Sequence, residues 1–134
     1  MTGVDLAKAA EALVGTRFRL HGRDPATGLD CIGLLAAAMA ALGRAIAVPT
    51  GYSLRLSGLT QWLPDPATMG FTVTDTPSRP GDVVMLRLGA GQFHLAIAGN
   101  QCWVHAHAGL RRVVRQPDLP SGELLHHWRL VPPI

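Results

Sequence analysis

The hydrophobic period of this chain changes once, at Pro80-Gly81. Before that point apolar residues recur at helical spacing; after it they alternate. Val4, Ala7, Ala10 and Val14 predict a helix over 4–14, ended by Gly15. A loop over 17–28 follows, punctuated by Gly22, Pro25 and Gly28. Asp30 is a good N-cap for a second helix over 31–42, which Gly43 closes. Residues 45–80 hold five of the ten prolines and have no clear period, with a short helix expected near 53–62. Strands are predicted over 82–88, 93–98, 102–106, 111–115 and 128–131. Helices first and strands second is the order of an α+β domain with an antiparallel sheet.

At 134 residues, the chain is expected to be one domain spanning 1–134. Its 48% hydrophobic and 16% charged residues suffice for a core and exclude a disordered tail. No apolar run approaches the ~18 residues of a membrane-spanning helix, so no membrane insertion is expected. The net charge of +3 comes almost wholly from arginine and is scattered, apart from Arg111, Arg112 and Arg115. That is not the basic stripe of a nucleic-acid binder, and no nucleic-acid partner is expected. The N-terminus lacks the apolar core of a secretory signal, and two cysteines are too few for a disulfide scaffold. The protein is expected to be made in a reducing cytoplasm, with Cys31 a free thiol.

Cys31 falls at a helix start behind a glycine-containing loop. The dipole and free N–H groups there favour a thiolate and offer an oxyanion site. The strand region supplies a base. A two-residue turn at Gly99-Asn100 pairs Ala98 with Gln101, Ala96 with Trp103 and His94 with His105. Two imidazoles then stand side by side on one face, and His107 falls further out, opposite Gln92. The pattern suits Cys31 as nucleophile, His94 as general base and His105 as orienter. Against it stand a small buried cysteine and structural strand histidines, each the commoner role for such a residue alone.

These residues resemble the NlpC-type cell-wall cysteine peptidases, a branch of the papain-like superfamily, over nearly the whole chain. Gly15-Thr-Arg-Phe18-Arg-Leu-His21-Gly22 resembles the family's Gly-Thr-x-Tyr-x-x-Gly-Gly loop, and Gly28-Leu-Asp30-Cys31-Ile32-Gly33 its Gly-x-Asp-Cys-Ser-Gly nucleophile motif. Pro80-Gly81-Asp82, Phe93-His94-Leu-Ala-Ile and Val104-His105-Ala106 resemble its three strand motifs. The resemblance implies a papain-like single domain with N-terminal helices packed on a central antiparallel sheet. It implies hydrolysis of amide bonds in peptidoglycan stem peptides through an acyl-enzyme, typically at the D-γ-glutamyl–diaminopimelate bond, with no cofactor and no metal. It also implies that Asp30 helps to recognise a free N-terminal amine.

Asp30-Cys31-Ile32-Gly33-Leu34, with Tyr52 after the second helix, is similar to a branch encoded with tail genes of phages and gene transfer agents. Tail or baseplate proteins are then expected partners, and a particle would deliver the enzyme to the periplasm and wall. Three departures stand out: Phe18 replaces a tyrosine whose hydroxyl assists at the oxyanion site, His21 replaces a glycine, and Ile32 replaces a serine. Tyr52 or His21 is expected to supply the missing donor, so Asp30, Phe18, His21 and Tyr52 form the expected substrate site. The rival readings are a structural tail-tip subunit with weakened catalysis, a related amidase or acyltransferase, and zinc binding by His94, His105 and His107. Cys102, Trp62, Trp103 and Trp128 are expected in the core, and His126 and His127 at the surface or a strand edge.

Overall fold

Thr2 and Asp5 open the first helix: the Thr2 N–H and hydroxyl both reach the Asp5 carboxylate, at 2.8 and 3.2 Å. This helix, α1 (Gly3–Ala12), buries Leu6, Ala7 and Ala10. It packs on α2 (Cys31–Ala41), which Asp30 caps by accepting the Gly33 N–H at 2.7 Å. The computed structural model describes residues 2–46, 65–89 and 92–131. Between the helices lie two short strands, β1 (Arg23–Asp24) and β2 (Gly28–Leu29), in the stretch expected as plain loop.

The later residues form α3 (Pro66–Met69), β3 (Phe71–Val73), β4 (Val83–Gly89), β5 (Gln92–Ala98), β6 (Trp103–His107), β7 (Arg112–Gln116) and β8 (Glu123–Leu130). Six of these strands make one antiparallel sheet in the order β3-β8-β4-β5-β6-β7. The fold is α+β, with the N-terminal helices on one sheet face. Phe93, Leu95, Ile97, Val104 and Ala106 join the helices in the main core. The alternate residues Val84, Leu86 and Ala96 form a smaller cluster on the other face, flanked by Trp103.

All five predicted strands are present, but α3 and β3 were not expected, and β8 starts at Glu123 rather than 128. A bulge accounts for the late start: Met85 pairs with His126 and Leu86 with Leu124, leaving Leu125 as the extra residue that breaks the alternation. The helix expected near 53–62 lies outside the described residues. His127 is not a surface histidine. Its Nε2 lies 2.7 Å from Oδ2 of Asp82, a carboxylate that is 1% exposed. Arg129 and the Arg79 N–H bind the same carboxylate. Trp128 is core as expected, Trp103 is half-buried, and Trp62 lies outside the described residues.

Among the described residues, no helix is long and apolar enough to cross a membrane. Both cysteines are free thiols.

Candidate active site

The loop before α2 is shaped around the Asp30 carboxylate. Its Oδ1 takes the Gly33 N–H and the Arg23 guanidinium at 3.0 Å, and its Oδ2 takes the His21 N–H at 2.8 Å. Asp30 is fully buried. The expected N-cap role is therefore plain. His21 presents its N–H from a backbone φ of 62°, a region glycine enters freely and histidine more readily than most other residues. That is a physical reason for glycine at this position in similar loops. Gly33 and Gly22 touch so closely that a Cβ on Gly33 would overlap the Gly22 carbonyl oxygen. Phe18 turns its ring against the main core. Tyr52 lies outside the described residues.

Cys31 is the first residue of α2 and is 2% exposed. The pull of the helix start towards a thiolate is outweighed here. Burial, then the neighbouring Asp30 carboxylate, push the thiol from 9.0 up to about 12. The N–H groups of Leu95, Ile32 and Cys31 pull the other way without prevailing. Arg23 offsets part of the Asp30 charge, so desolvation is the dominant cause.

The two histidines meet, though not by the expected register. β5 and β6 pair at Ala98 with Trp103 and at Ile97 with Val104, two residues from the predicted alignment. The turn is four residues long, closed by Gly99 N–H to the Cys102 carbonyl at 2.9 Å. Continued, this register would set His94 opposite His107 and His105 opposite Ala96. The ladder stops at Ile97, however, and the strands diverge towards His94. A slip of two residues preserves the shared face. His94 Nε2 lies 2.9 Å from His105 Nδ1, with the rings edge to face at 5.0 Å.

Gln116, on β7 opposite Trp103, completes a chain that sequence reasoning missed. Its Nε2 donates to the Asp118 carbonyl at 2.8 Å, which turns Oε1 towards His105 Nε2, also at 2.8 Å. Oε1 only accepts, so His105 carries its proton on Nε2. His105 Nδ1 then accepts from His94 Nε2–H, and the lone pair of His94 is left on Nδ1. Burial, with the nearby His105 and His107, lowers His94 from 6.5 to about 3. Burial also lowers His105, with the Gln116 bond opposing and His107 adding to the shift. Both rings are therefore neutral at pH 7.

Cys31 reaches the region from the helix side, through the contact of its sulfur with the Leu95 N–H where the strands part. Among the described residues, no hydrogen bond joins Cys31 to either histidine. A cleft of about 430 Å³ borders the pair, lined by Leu88, Phe93, His94, His105, His107 and Gln116. A larger one of about 500 Å³, around Val73, Val84, Trp103 and Leu124, contains none of Cys31, His94 and His105. Among the described residues, no group of three or more His, Cys, Asp or Glu is placed to hold a metal ion. Cys102 sits beside the main core and donates to Glu11 of α1 at 3.3 Å.

No protein-family model matches the chain, and no curated protein matches it. Solved structures do. NlpC1 and NlpC2 from Trichomonas vaginalis superpose with TM-scores of 0.68 and 0.66 at 18% and 16% identity, over 94% and 96% of this chain. The chain spans less than half of each of those proteins, 44% and 46%. The NlpC/p60 domain of the peptidoglycan hydrolase SagA matches over 87% of this chain and 89% of its own, at 22% identity and a TM-score of 0.56. The P60 domain of an antigen from M. avium subspecies paratuberculosis matches over 95% and 92%, at 23% identity and a TM-score of 0.56. At such identities the likeness is one of architecture, and the architecture of this chain is the papain-like fold of NlpC/p60 domains.

Proposed function

We propose that this protein is a cysteine endopeptidase that hydrolyses amide bonds in peptidoglycan stem peptides. The observation that carries the reading is the ordered chain Gln116–His105–His94, which leaves an unprotonated Nδ1 on a buried histidine beside the helix that begins at Cys31. In this reading the domain is the whole chain, and the resting pair is a neutral thiol and a neutral imidazole. The thiol proton passes to His94 Nδ1 as the sulfur attacks the substrate carbonyl. The N–H groups at the start of α2 receive the oxyanion. His94 then gives its proton to the leaving amine, which leaves an acyl-enzyme. Water, deprotonated by His94, releases the new carboxylate and restores the thiol. His105 stabilises the His94 imidazolium in both steps.

The usual D-γ-glutamyl–diaminopimelate bond is the proposed target, and the likeness to the SagA domain supports a wall substrate. Asp30 contributes through its hold on the His21 N–H and Arg23, which shapes the loop beside the nucleophile. His21 and Tyr52 remain the candidate donors in place of the hydroxyl that Phe18 lacks. Association with a phage-like tail rests on the Asp30–Leu34 motif. It is tested by co-purification of the chain with tail particles.

One observation favours a second reading, a structural subunit on the same fold. Cys31 is buried and its thiol is raised to about 12. Digestion of Gram-negative peptidoglycan by the parent protein and by Cys31→Ala, with products identified by mass, separates the two. New stem-peptide fragments from the parent alone establish the peptidase, and their masses name the bond and distinguish an amidase. No fragments from either protein, with a Cys31 that also resists alkylation at neutral pH, favours the structural subunit.

A further inference from the structure

The segment before β1 adds an extra rung to the sheet. The Phe18 N–H donates to the Arg111 carbonyl at 2.9 Å, and the Val113 N–H to the Thr16 carbonyl at 2.7 Å. Arg17 and Arg112 are therefore directly opposed across an antiparallel bridge, in the pair type whose side chains stand closest. On its other side the segment holds β2, with the Leu29 N–H on the Arg17 carbonyl and the Arg19 N–H on the Leu29 carbonyl. Arg19 is two residues beyond Arg17 and shares its face, while Phe18 points the other way into the core. The β6–β7 register carries that face across the sheet: Arg112 opposes His107, and Val114 opposes His105. Three arginines separated in sequence thus line up on the face that carries His105 and His107, and the lead-in to Cys31 runs alongside.

All three are exposed, and among the described residues none takes part in an ion pair. Like charges directly opposed across strands destabilise a sheet. A neutral residue at either position would avoid that cost. An anion between the guanidinium groups would turn the repulsion into paired, bidentate hydrogen bonds.

We infer that Arg17, Arg19 and Arg112 form a binding row for the carboxylates of a polyanionic, peptide-bearing polymer and hold that polymer beside the histidine pair. The choice of carboxylate over phosphate rests on the reading of this protein as a stem-peptide hydrolase.

The test is co-sedimentation of full-length Cys31→Ala protein with Gram-negative sacculi at low and high salt. Sacculi with carbodiimide-amidated carboxylates form a second arm, and soluble polyphosphate a third. The expected result is salt-sensitive binding that amidation weakens and that the double variant R17Q/R112Q weakens about fivefold to tenfold. R17K/R112K, which keeps the charge but not the bidentate fork, is expected to bind between the parent and R17Q/R112Q, and an unchanged urea midpoint for R17Q/R112Q shows that its loss is not one of folding. Binding that salt leaves unchanged, or that R17Q/R112Q leaves unchanged, overturns the row. Binding to polyphosphate without binding to sacculi overturns the carboxylate assignment. Cleavage is scored separately with Cys31 intact. Row-dependent binding without cleavage overturns the hydrolase and leaves the row standing; cleavage with row-independent binding does the reverse.

Discussion

Gln116 is a neutral side chain at the end of a proton-ordering chain, and its neutrality has a measurable consequence. Replacing it with glutamate puts a carboxylate at hydrogen-bonding distance from His105 Nε2. A carboxylate favours the imidazolium, so the His105 pKa rises from its depressed position. The acid limb of the pH–rate profile should then move to higher pH in Gln116→Glu. Gln116→Leu removes the acceptor, frees the His105 tautomer and should lower kcat/KM by about tenfold or more with little change in KM. Unchanged profiles in both variants would remove Gln116 from the site. The meeting of His94 with His105 and the place of Cys31 at a helix start were legible in the sequence, because strand parity and the Asp30 cap single them out. Gln116 was not, because its role depends on the β6–β7 alignment and on the carbonyl of Asp118, neither of which a local pattern reveals.

Among the elements, α2 is the most tightly constrained. Its third residue, Gly33, is fully enclosed against the Gly22 carbonyl. In an exposed helix, glycine to alanine stabilises by roughly 1 kcal/mol. Here the added methyl must displace backbone, so Gly33→Ala should destabilise by about 1–3 kcal/mol, read as a lower urea midpoint at constant m-value. The β5–β6 hairpin shows the limit of pattern reading at this scale. Alternation identifies which residues share a face, and both histidines were assigned correctly on that basis. Turn length sets the alignment, and Gly99–Cys102 forms a four-residue turn although Gly-Asn suits a two-residue one. β8 was read short for a related reason, since the bulge at Leu125 interrupts the period on which strand recognition depends.

For the molecule as a whole, the buried titratable groups predict a dome of stability against pH. Above pH 9 the unfolded chain releases the Cys31 proton, whereas the folded chain keeps it to about 12. Stability is therefore full below 9 and falls as pH rises towards 12. Below pH 6.5 the unfolded chain protonates His94, whereas the folded chain resists to about 3. Stability is full above 6.5 and falls as pH drops towards 3. The melting temperature should peak between pH 6.5 and 9. Cys31→Ala should flatten the alkaline limb, leaving a residue from Cys102, whose thiol burial also raises. His94→Gln should shrink the acid limb, leaving a residue from His105 and Asp82, which the fold also holds low. Limbs that survive both substitutions undiminished would show that other groups set the dome. A separate anchor is Asp82, held low by Arg129, the Arg79 N–H and His127 against the cost of its burial. Asp82→Ala removes the acceptor shared by Arg129, the Arg79 N–H and His127 and should lower the urea midpoint in a denaturation curve.

The divergence of β5 from β6 divides the sheet mechanically. On one side of the parting, β3, β8, β4 and β5 form a continuous ladder; on the other, β6 and β7 pair with it at Ile97 and Ala98 and are held otherwise by Val104, Ala106 and Val113 in the core and by the segment Gly15–Phe18. Hydrogen–deuterium exchange should find the β4–β5 amides slow and cooperative with global unfolding. The β6–β7 amides should exchange through a lower-energy opening that leaves the ladder intact. Such an opening widens the seam beside Cys31 and exposes Val104, Ala106 and Val113 with it, so the route of the thiol to solvent carries part of the core along.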